Sequence, residues 1–218
     1  MRLAAHIINS VPVFGVQDTL EDVIEFFQST TFTHVAVVEQ KKFLGLLAEN
    51  DLETFEGDKK IEDYRYNLES FMVKKDTGWL DVLEAFARNE ANIVPVLDED
   101  NIVIGYYDLT DLVGLFIDIP FFTEPGGILV IAKGKKDYSL SEIAQIVESN
   151  NTKLFGAFIT DSRNDVIQIT LKIGPENMNE VVQTFRRYNY NILFGNMDDQ
   201  FLENLKQRSN YLDKYLNV

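Results

Sequence analysis

The sequence predicts an α+β chain in two parts: a tandem pair of βαββα units, then a βαββαβ domain followed by a C-terminal helix. Three observations predict this. The first half repeats itself at a spacing of about sixty residues, a Pro- and Gly-rich break falls at 119–127, and the second half alternates apolar strands with two amphipathic helices.

The repeat is read directly from paired segments. Asp22-Val23-Ile24-Glu25-Phe26-Phe27 matches Asp81-Val82-Leu83-Glu84-Ala85-Phe86 at an offset of 59, and His34-Val35-Ala36-Val37-Val38 matches Ile93-Val94-Pro95-Val96-Leu97 at the same offset. After one inserted residue, the run Gly45 to Leu52 pairs with Gly105 to Leu112 at an offset of 60. In each copy an amphipathic helix, 19–29 or 78–89, leads into an apolar strand, a polar turn, a second strand and a short helix.

The turn Asp98-Glu99-Asp100-Asn101 raises a metal question, because three carboxylates and an amide in sequence are hard oxygen donors. It lies between two strands, where Asp and Asn favour tight turns, and no Gly or distal Glu follows at the spacing of a cation loop. A hairpin is expected and no metal.

These paired units resemble a tandem CBS-domain (Bateman) module, with repeats at 1–58 and 59–119. The resemblance rests on the repeat length, on Val94-Pro95-Val96, and on the Gly-hydrophobic-hydrophobic-x-x-x-Asp pattern from Gly45 to Asp51 and from Gly105 to Asp111. It implies a regulatory module holding an adenosyl-type ligand between its repeats: adenosine, AMP, ATP or S-adenosylmethionine. It also implies that Asp51 and Asp111 accept hydrogen bonds from ribose hydroxyls, while a Ser or Thr three residues earlier donates to phosphate. Here those two positions are Ala48 and Asp108. Ala48 has no hydroxyl to donate. A carboxylate at 108 repels a phosphate about 4 Å away by roughly 4 kcal/mol at an effective dielectric near 20, so adenine nucleotides are expected to bind weakly. Asp108-Leu109-Thr110-Asp111 also reads as a helix N-cap with an acidic residue in the first turn, and Asp51 reads as a residue that favours a helix start.

Beyond the break, 128–131 is an apolar strand and Ser139-Leu140-Ser141-Glu142 is a capping box. It opens a helix with Leu140, Ile143, Ile146 and Val147 on one face. Strand 153–160, a turn at 161–165, the alternating strand 166–173, a helix begun by Asn177 and a closing strand 190–194 complete a ferredoxin-like order. Central strands without aromatics disfavour RNA stacking. The segment 128–195 resembles an ACT domain, a regulatory fold that senses amino acids. Its lead-in Glu124-Pro125-Gly126-Gly127 is similar to the junction in proteins that join CBS pairs to ACT domains, among them acetoin-utilisation accessory proteins. Where the family has an Asp-x-Pro-Gly turn, this chain has Gly134-Lys135-Lys136-Asp137-Tyr138-Ser139. Lys133, Lys135, Lys136 and the Ser139 helix start form a candidate anion loop, set against a plain solvated basic loop. The tail, 198–217, is expected to be a helix striped by Leu202, Leu205, Leu212 and Leu216.

Composition narrows the function. The 218 residues carry 20 basic and 35 acidic side chains, with 45% hydrophobic residues, enough for a large core. Residues 1–120 have a net charge of −14 and the rest −1, so phosphate backbones are poor partners for the first half. With no cysteine and only His6 and His34, neither a thiolate site nor a catalytic triad is written here, and Gly-x-x-x-x-Gly-Lys is absent. His34 stands at the mouth of an apolar strand, as a core-edge residue. Nor is a signal segment or membrane span expected. The expectation is a cytoplasmic homodimer without catalytic activity, sensing a small-molecule effector and acting through a protein partner. The alternative is a ligand-free oligomerisation scaffold with degenerate nucleotide sites.

Overall fold

The computed structural model describes residues 3–195 and divides the chain into two compact units, Met1–Phe116 and Ile117–Val218. The expected C-terminal helix lies outside the described residues.

In the first unit, β1 (Val13–Gly15), α1 (Leu20–Ser29), β2 (His34–Glu39) and β3 (Lys42–Ala48) lead to a 3-10 turn at Glu49–Thr54. The second repeat supplies β4 (Val73–Lys74), α2 (Trp79–Arg88), β5 (Ile93–Leu97), β6 (Val103–Asp108) and α3 (Leu109–Gly114). Each forms a three-stranded sheet in which the first strand runs parallel to the central one and the third antiparallel. Helix α1 forms because Leu20, Val23 and Phe27 fall on one buried stripe while Glu21 and Asp22 occupy its positive end. In α2, Val82 and Phe86 make the equivalent contact. The 98–101 turn is a hairpin, its Asp98 Oδ1 accepting the N–H groups of Asp100 and Ile102 at 3.0 and 2.8 Å.

Neither repeat completes its own surroundings. Ile8, ahead of β1 in the first repeat, exchanges two backbone hydrogen bonds of 2.9 Å with Tyr106 of the second. Glu69, ahead of β4 in the second repeat, exchanges two of 2.9 Å with Leu46 of the first. Core membership follows the same crossing: Leu3 and Ile7 pack into the second repeat's core, whereas Ile61, Tyr64 and Leu68 pack into the first's. The matched glycines explain how the segments come so close. A Cβ on Gly45 would lie 2.8 Å from Leu68 Cβ and 2.9 Å from the Glu69 carbonyl. One on Gly105 would lie 2.5 Å from the Ile8 carbonyl, and Gly105 also has a φ of +137°, a conformation open to glycine and strained for other residues. Both glycines face a β-bulge, between Val37 and Val38 in one sheet and between Val96 and Leu97 in the other.

The second unit begins with a short helix, α4 (Pro120–Thr123), where only a break was expected. Phe121 of α4 packs edge-on against Phe158 with centroids 4.9 Å apart, over the bare backbone of Gly156. β7 (Gly127–Gly134), α5 (Leu140–Ser149), β8 (Leu154–Arg163), β9 (Val166–Ile173), α6 (Met178–Arg187) and β10 (Asn191–Gly195) follow, forming an antiparallel sheet of order β10-β7-β9-β8. Ile167, Ile169, Leu171 and Ile173 of β9 are buried with Ile143, Ile146 and Val147 of α5 and Val181, Val182 and Phe185 of α6.

Three local expectations need correction. The turn expected at 161–165 shrinks to Asn164 and Asp165, with φ of 53° and 58°, because two residues that tolerate positive φ make a tight hairpin whose twist suits long strands. Leu140 is exposed rather than inward, since it precedes the first full turn over the sheet. Asn177 does not cap α6 with its side chain; its amide donates to the Asn150 carbonyl at 2.9 Å.

Gly105→Ala should destabilise the protein by at least about 2 kcal/mol, combining backbone strain with a steric clash. Chemical denaturation of wild type and variant checks this; a change below about 0.5 kcal/mol would show that Ile8 yields freely.

Candidate functional site

The two aspartates of the repeat motif lie in unlike settings. At the end of β3, Ala48 pairs with His34 at the start of β2; it is buried and offers no side-chain cap to the 3-10 turn that holds half-buried Asp51. At the end of β6, Asp108 pairs with Ile93 at the start of β5. Its carboxylate accepts the Thr110 N–H at 2.6 Å and caps α3, and Asp111 is exposed in the first turn. The carboxylate at 108 therefore caps the helix start through Oδ1.

Between these half-sites the repeats are stitched together. Thr33 N–H donates to Asn92 Oδ1 at 2.9 Å, Asn92 N–H donates to Thr33 Oγ1 at 3.0 Å, and the Asn92 amide donates to the Thr31 carbonyl at 2.6 Å. Thr33 and Asn92 are 59 residues apart, the repeat offset itself, so each stands just before the central strand of its own sheet. The symmetry extends to the turns: Glu49 N–H donates to the Thr33 carbonyl at 2.8 Å and Leu109 N–H to the Asn92 carbonyl at 2.9 Å.

Next to this seam lies His34, 5% exposed, confirming its place at the edge of the core. Nδ1 is 2.8 Å from Thr33 Oγ1, Nε2 is 3.4 Å from Glu69 Oε2, and the Phe71 ring stands edge-on at 5.0 Å. Burial pushes the imidazole below its ordinary value, and the carboxylates of Glu69 and then Asp51 pull it back in part. A polar cavity of about 360 Å³ opens here, lined among others by Thr33, His34, Glu49, Asn50, Glu69 and Glu90. Its one lining arginine, Arg88, is tied to Glu84 at 2.6 Å. Three carboxylates against one guanidinium make this a poor seat for phosphate.

A larger cavity, about 710 Å³, lies at the far end of the second repeat's strands, against Lys74–Gly78 and the 98–101 turn. Neither Asp51 nor Asp111 lines it. Lys74 Nζ is spent on the turn, donating to the Asp98 carbonyl at 2.8 Å and to Asn101 Oδ1 at 2.7 Å.

In the second unit the expected anion loop is only partly as drawn. Lys133 turns away to Glu142 Oε1 at 2.7 Å, its ammonium 4.2 Å from the centroid of the Tyr190 ring. Tyr190 OH donates to the same carboxylate oxygen at 2.8 Å. Hydrogen bonds from Lys133 and Tyr190 hold the Glu142 carboxyl below its usual range, and burial together with that bond pushes the Tyr190 phenol up to about 12. Glu142 thus does not close the capping box; Ser139 Oγ accepts the Glu142 N–H at 3.4 Å and contacts Ser141 Oγ at 2.8 Å. Lys135 and Lys136 are exposed.

The CBS domain family matches residues 4–55 and 63–118. The first half of the chain is a tandem CBS-domain pair, a module that generally acts as a regulatory sensor of small ligands. A curated relative, an uncharacterised protein of Methanocaldococcus jannaschii, is 23% identical over 114 residues, 52% of this chain and 43% of its own length. The chain thus spans less than half of that relative. Among solved structures, a CBS domain pair/ACT domain protein of Thermotoga maritima is 17% identical with a TM-score of 0.49, covering 54% of this chain and 98% of its own. The cytosolic domain of the Mg²⁺ channel MgtE in complex with ATP is 20% identical, TM-score 0.44, covering 50% of this chain and 46% of its own. Among the described residues no helix is long and apolar enough to cross a membrane, and no group of three or more His, Asp or Glu side chains is arranged to hold a metal.

Asn92→Ala should cost about 1–3 kcal/mol, because it strips a partner from the part-buried Thr33 N–H. Thermal and urea unfolding should move together if the repeats unfold as one; an unchanged midpoint would mean the seam contributes nothing.

Proposed function

We propose that this protein is a cytoplasmic, non-catalytic regulator that senses a small metabolite through its CBS pair and transmits the signal to a protein partner. The observation that carries the reading is the seam of the CBS pair: two half-sites flank one line of inter-repeat hydrogen bonds, so a ligand bound there touches both repeats. The ligand class that fits is a nucleoside-like adenosyl compound at the Asp51 half-site. Asp51 accepts from ribose hydroxyls, and Ala48 and the acidic lining give phosphate no anchor. Domain limits follow the repeats, 1–58 and 59–119, with an ACT-like domain at 128–195. The sheet order with two helices on one face supports a ferredoxin-type fold there, an arrangement similar to that of acetoin-utilisation accessory proteins. Lys135, Lys136 and Ser139 are its candidate anion contacts.

A second reading, a ligand-free oligomerisation scaffold, is favoured by Asp108 putting a helix-capping carboxylate where the resemblance implies a phosphate-binding hydroxyl. Thermal-shift measurements with adenosine, AMP, ATP, S-adenosylmethionine and amino acids separate the two, because a ligand that binds only the native state raises its melting temperature. Adenosine should stabilise more than AMP, and Asp108→Thr, which keeps a competent cap, should strengthen AMP binding. Tight AMP binding by wild type, or weaker binding by the variant, would show that the carboxylate faces elsewhere.

CBS domains commonly form dimers, and we expect one here, with an isologous two-fold contact. Light scattering at tens of micromolar should give about twice the 25.0 kDa chain mass; a monomer would refute it.

A further inference from the structure

We propose that the 710 Å³ cavity at the far end of the second repeat is a docking groove for an extended, basic peptide of a partner protein, which adds itself to the backbone between Lys75 and Leu80. This rests on the reading above only in needing a protein partner. The test uses no ligand of the seam, so either idea can fail without the other.

The first repeat shows how such a strand sits. Its loop between β1 and α1 is covered by the segment 57–62, in which Lys60 pairs antiparallel with Thr19. Ile61 N–H donates to the Asp18 carbonyl at 3.1 Å and Glu62 N–H to the Val16 carbonyl at 2.9 Å. In return the first two N–H groups of α1, those of Leu20 and Glu21, donate to the carbonyls of Lys59 and Gly57 at 2.9 and 3.1 Å. Ile61 is fully buried with Leu20 in the core.

The second repeat builds the same loop 59 residues on. Val16 N–H donates to the Val38 carbonyl and Lys75 N–H to that of Leu97; Asp18 N–H donates to Gly15 and Thr77 N–H to Lys74. Here the covering differs. Ile8 stands where Glu69 does, and Leu3 takes the buried place of Tyr64, so the stretch matching 57–62 falls ahead of Leu3, outside the described residues. Among the described residues, the N–H groups of Trp79 and Leu80 meet no carbonyl like those that cap Leu20 and Glu21. Trp79, in the place of fully buried Leu20, is only half-buried, and Leu80 is 62% exposed. The loop that is sheathed in one repeat thus lines the cavity in the other, from Lys74 to Gly78. An added strand can make the same main-chain hydrogen bonds there.

Side chains set the sign of the partner. Gln17, which accepts Lys60 Nζ at 2.8 Å and donates to Glu62, is matched by Asp76, which can only accept. Glu39, paired with Arg65 at 2.8 Å, is matched by Asp98, while the residue matching Arg65 is Ala4. Gln40 and Lys41 are matched by Glu99 and Asp100. Four carboxylates therefore line the cavity beside Lys75, since Lys74 is spent on the turn. Such a groove favours lysine or arginine flanking one apolar residue at the position of Ile61.

The probe is an end-capped hexapeptide with the chain's own 57–62 sequence carrying Glu62→Lys, titrated into the full-length protein. Amide resonances of Trp79 and Leu80 should move furthest and saturate, and emission of Trp79, the single tryptophan, should follow the same curve. Exposed Asp76 changed to Lys should weaken binding about fivefold or more, Asp76→Asn less, and a peptide carrying Lys59→Glu and Lys60→Glu should bind wild type about fivefold or more weakly. No saturation by about 5 mM, or equal binding of the basic and acidic peptides, overturns the proposal. Binding only after removal of residues 1 and 2 would give the cavity to the chain's own leading segment, and a peptide that halves the mass in solution would give it to a second copy; either result also overturns it.

Discussion

Two points of contact without side chains, Gly45 and Gly105, set how the first unit is built. Each lets a segment from the opposite repeat press its backbone against a strand at a distance no Cβ would allow. The bulge beside each glycine, the crossing of Leu3 and Ile61 into the other repeat's core, and the Thr33–Asn92 stitch all depend on that approach. The seam between the half-sites exists because the crossing brings the starts of β2 and β5 together.

The two repeats share this geometry but not their chemistry. At one half-site the strand ends in a methyl group and the turn holds a half-buried aspartate beside a buried imidazole. At the other the strand ends in a carboxylate already bonded to its helix, and the following aspartate is open to water. Tyr106 deepens the asymmetry: fully buried, it accepts the Ala36 N–H and donates to the Pro12 carbonyl, where the first repeat has only Leu46. Burial accordingly raises its hydroxyl far above the usual phenol value. One frame thus carries two strand ends of unlike chemistry.

Much of this was legible in the sequence, for definite reasons. Alternation in 166–173 and the 3.6-residue stripe of Leu20, Val23 and Phe27 encode burial directly, so β9 and α1 appear where expected. The residues just before the paired strands, Thr33 and Asn92, carry no mark of their own in the sequence, and only the fold shows that they bond across the repeats. Less legible were features set by long-range packing. Glu142 looked like half of a capping box because local spacing permits it, yet a lysine nine residues back and a tyrosine 48 residues on claim the carboxylate. Lys133 was expected in an anion loop for the same reason. Glu69 carried no local mark at all, and only the crossing of its segment onto β3 brings it to His34.

The crossing also bears on how such a pair can be taken apart. A backbone cut within the 56–59 loop would leave a first piece whose opening residues belong to the other's core, and a second piece whose helical lead, Ile61 to Tyr64, belongs to the first's. Neither fragment holds a complete sheet with its covering. The natural unit is the interlocked couple, and two copies of a single repeat could satisfy the same contacts only by embracing each other.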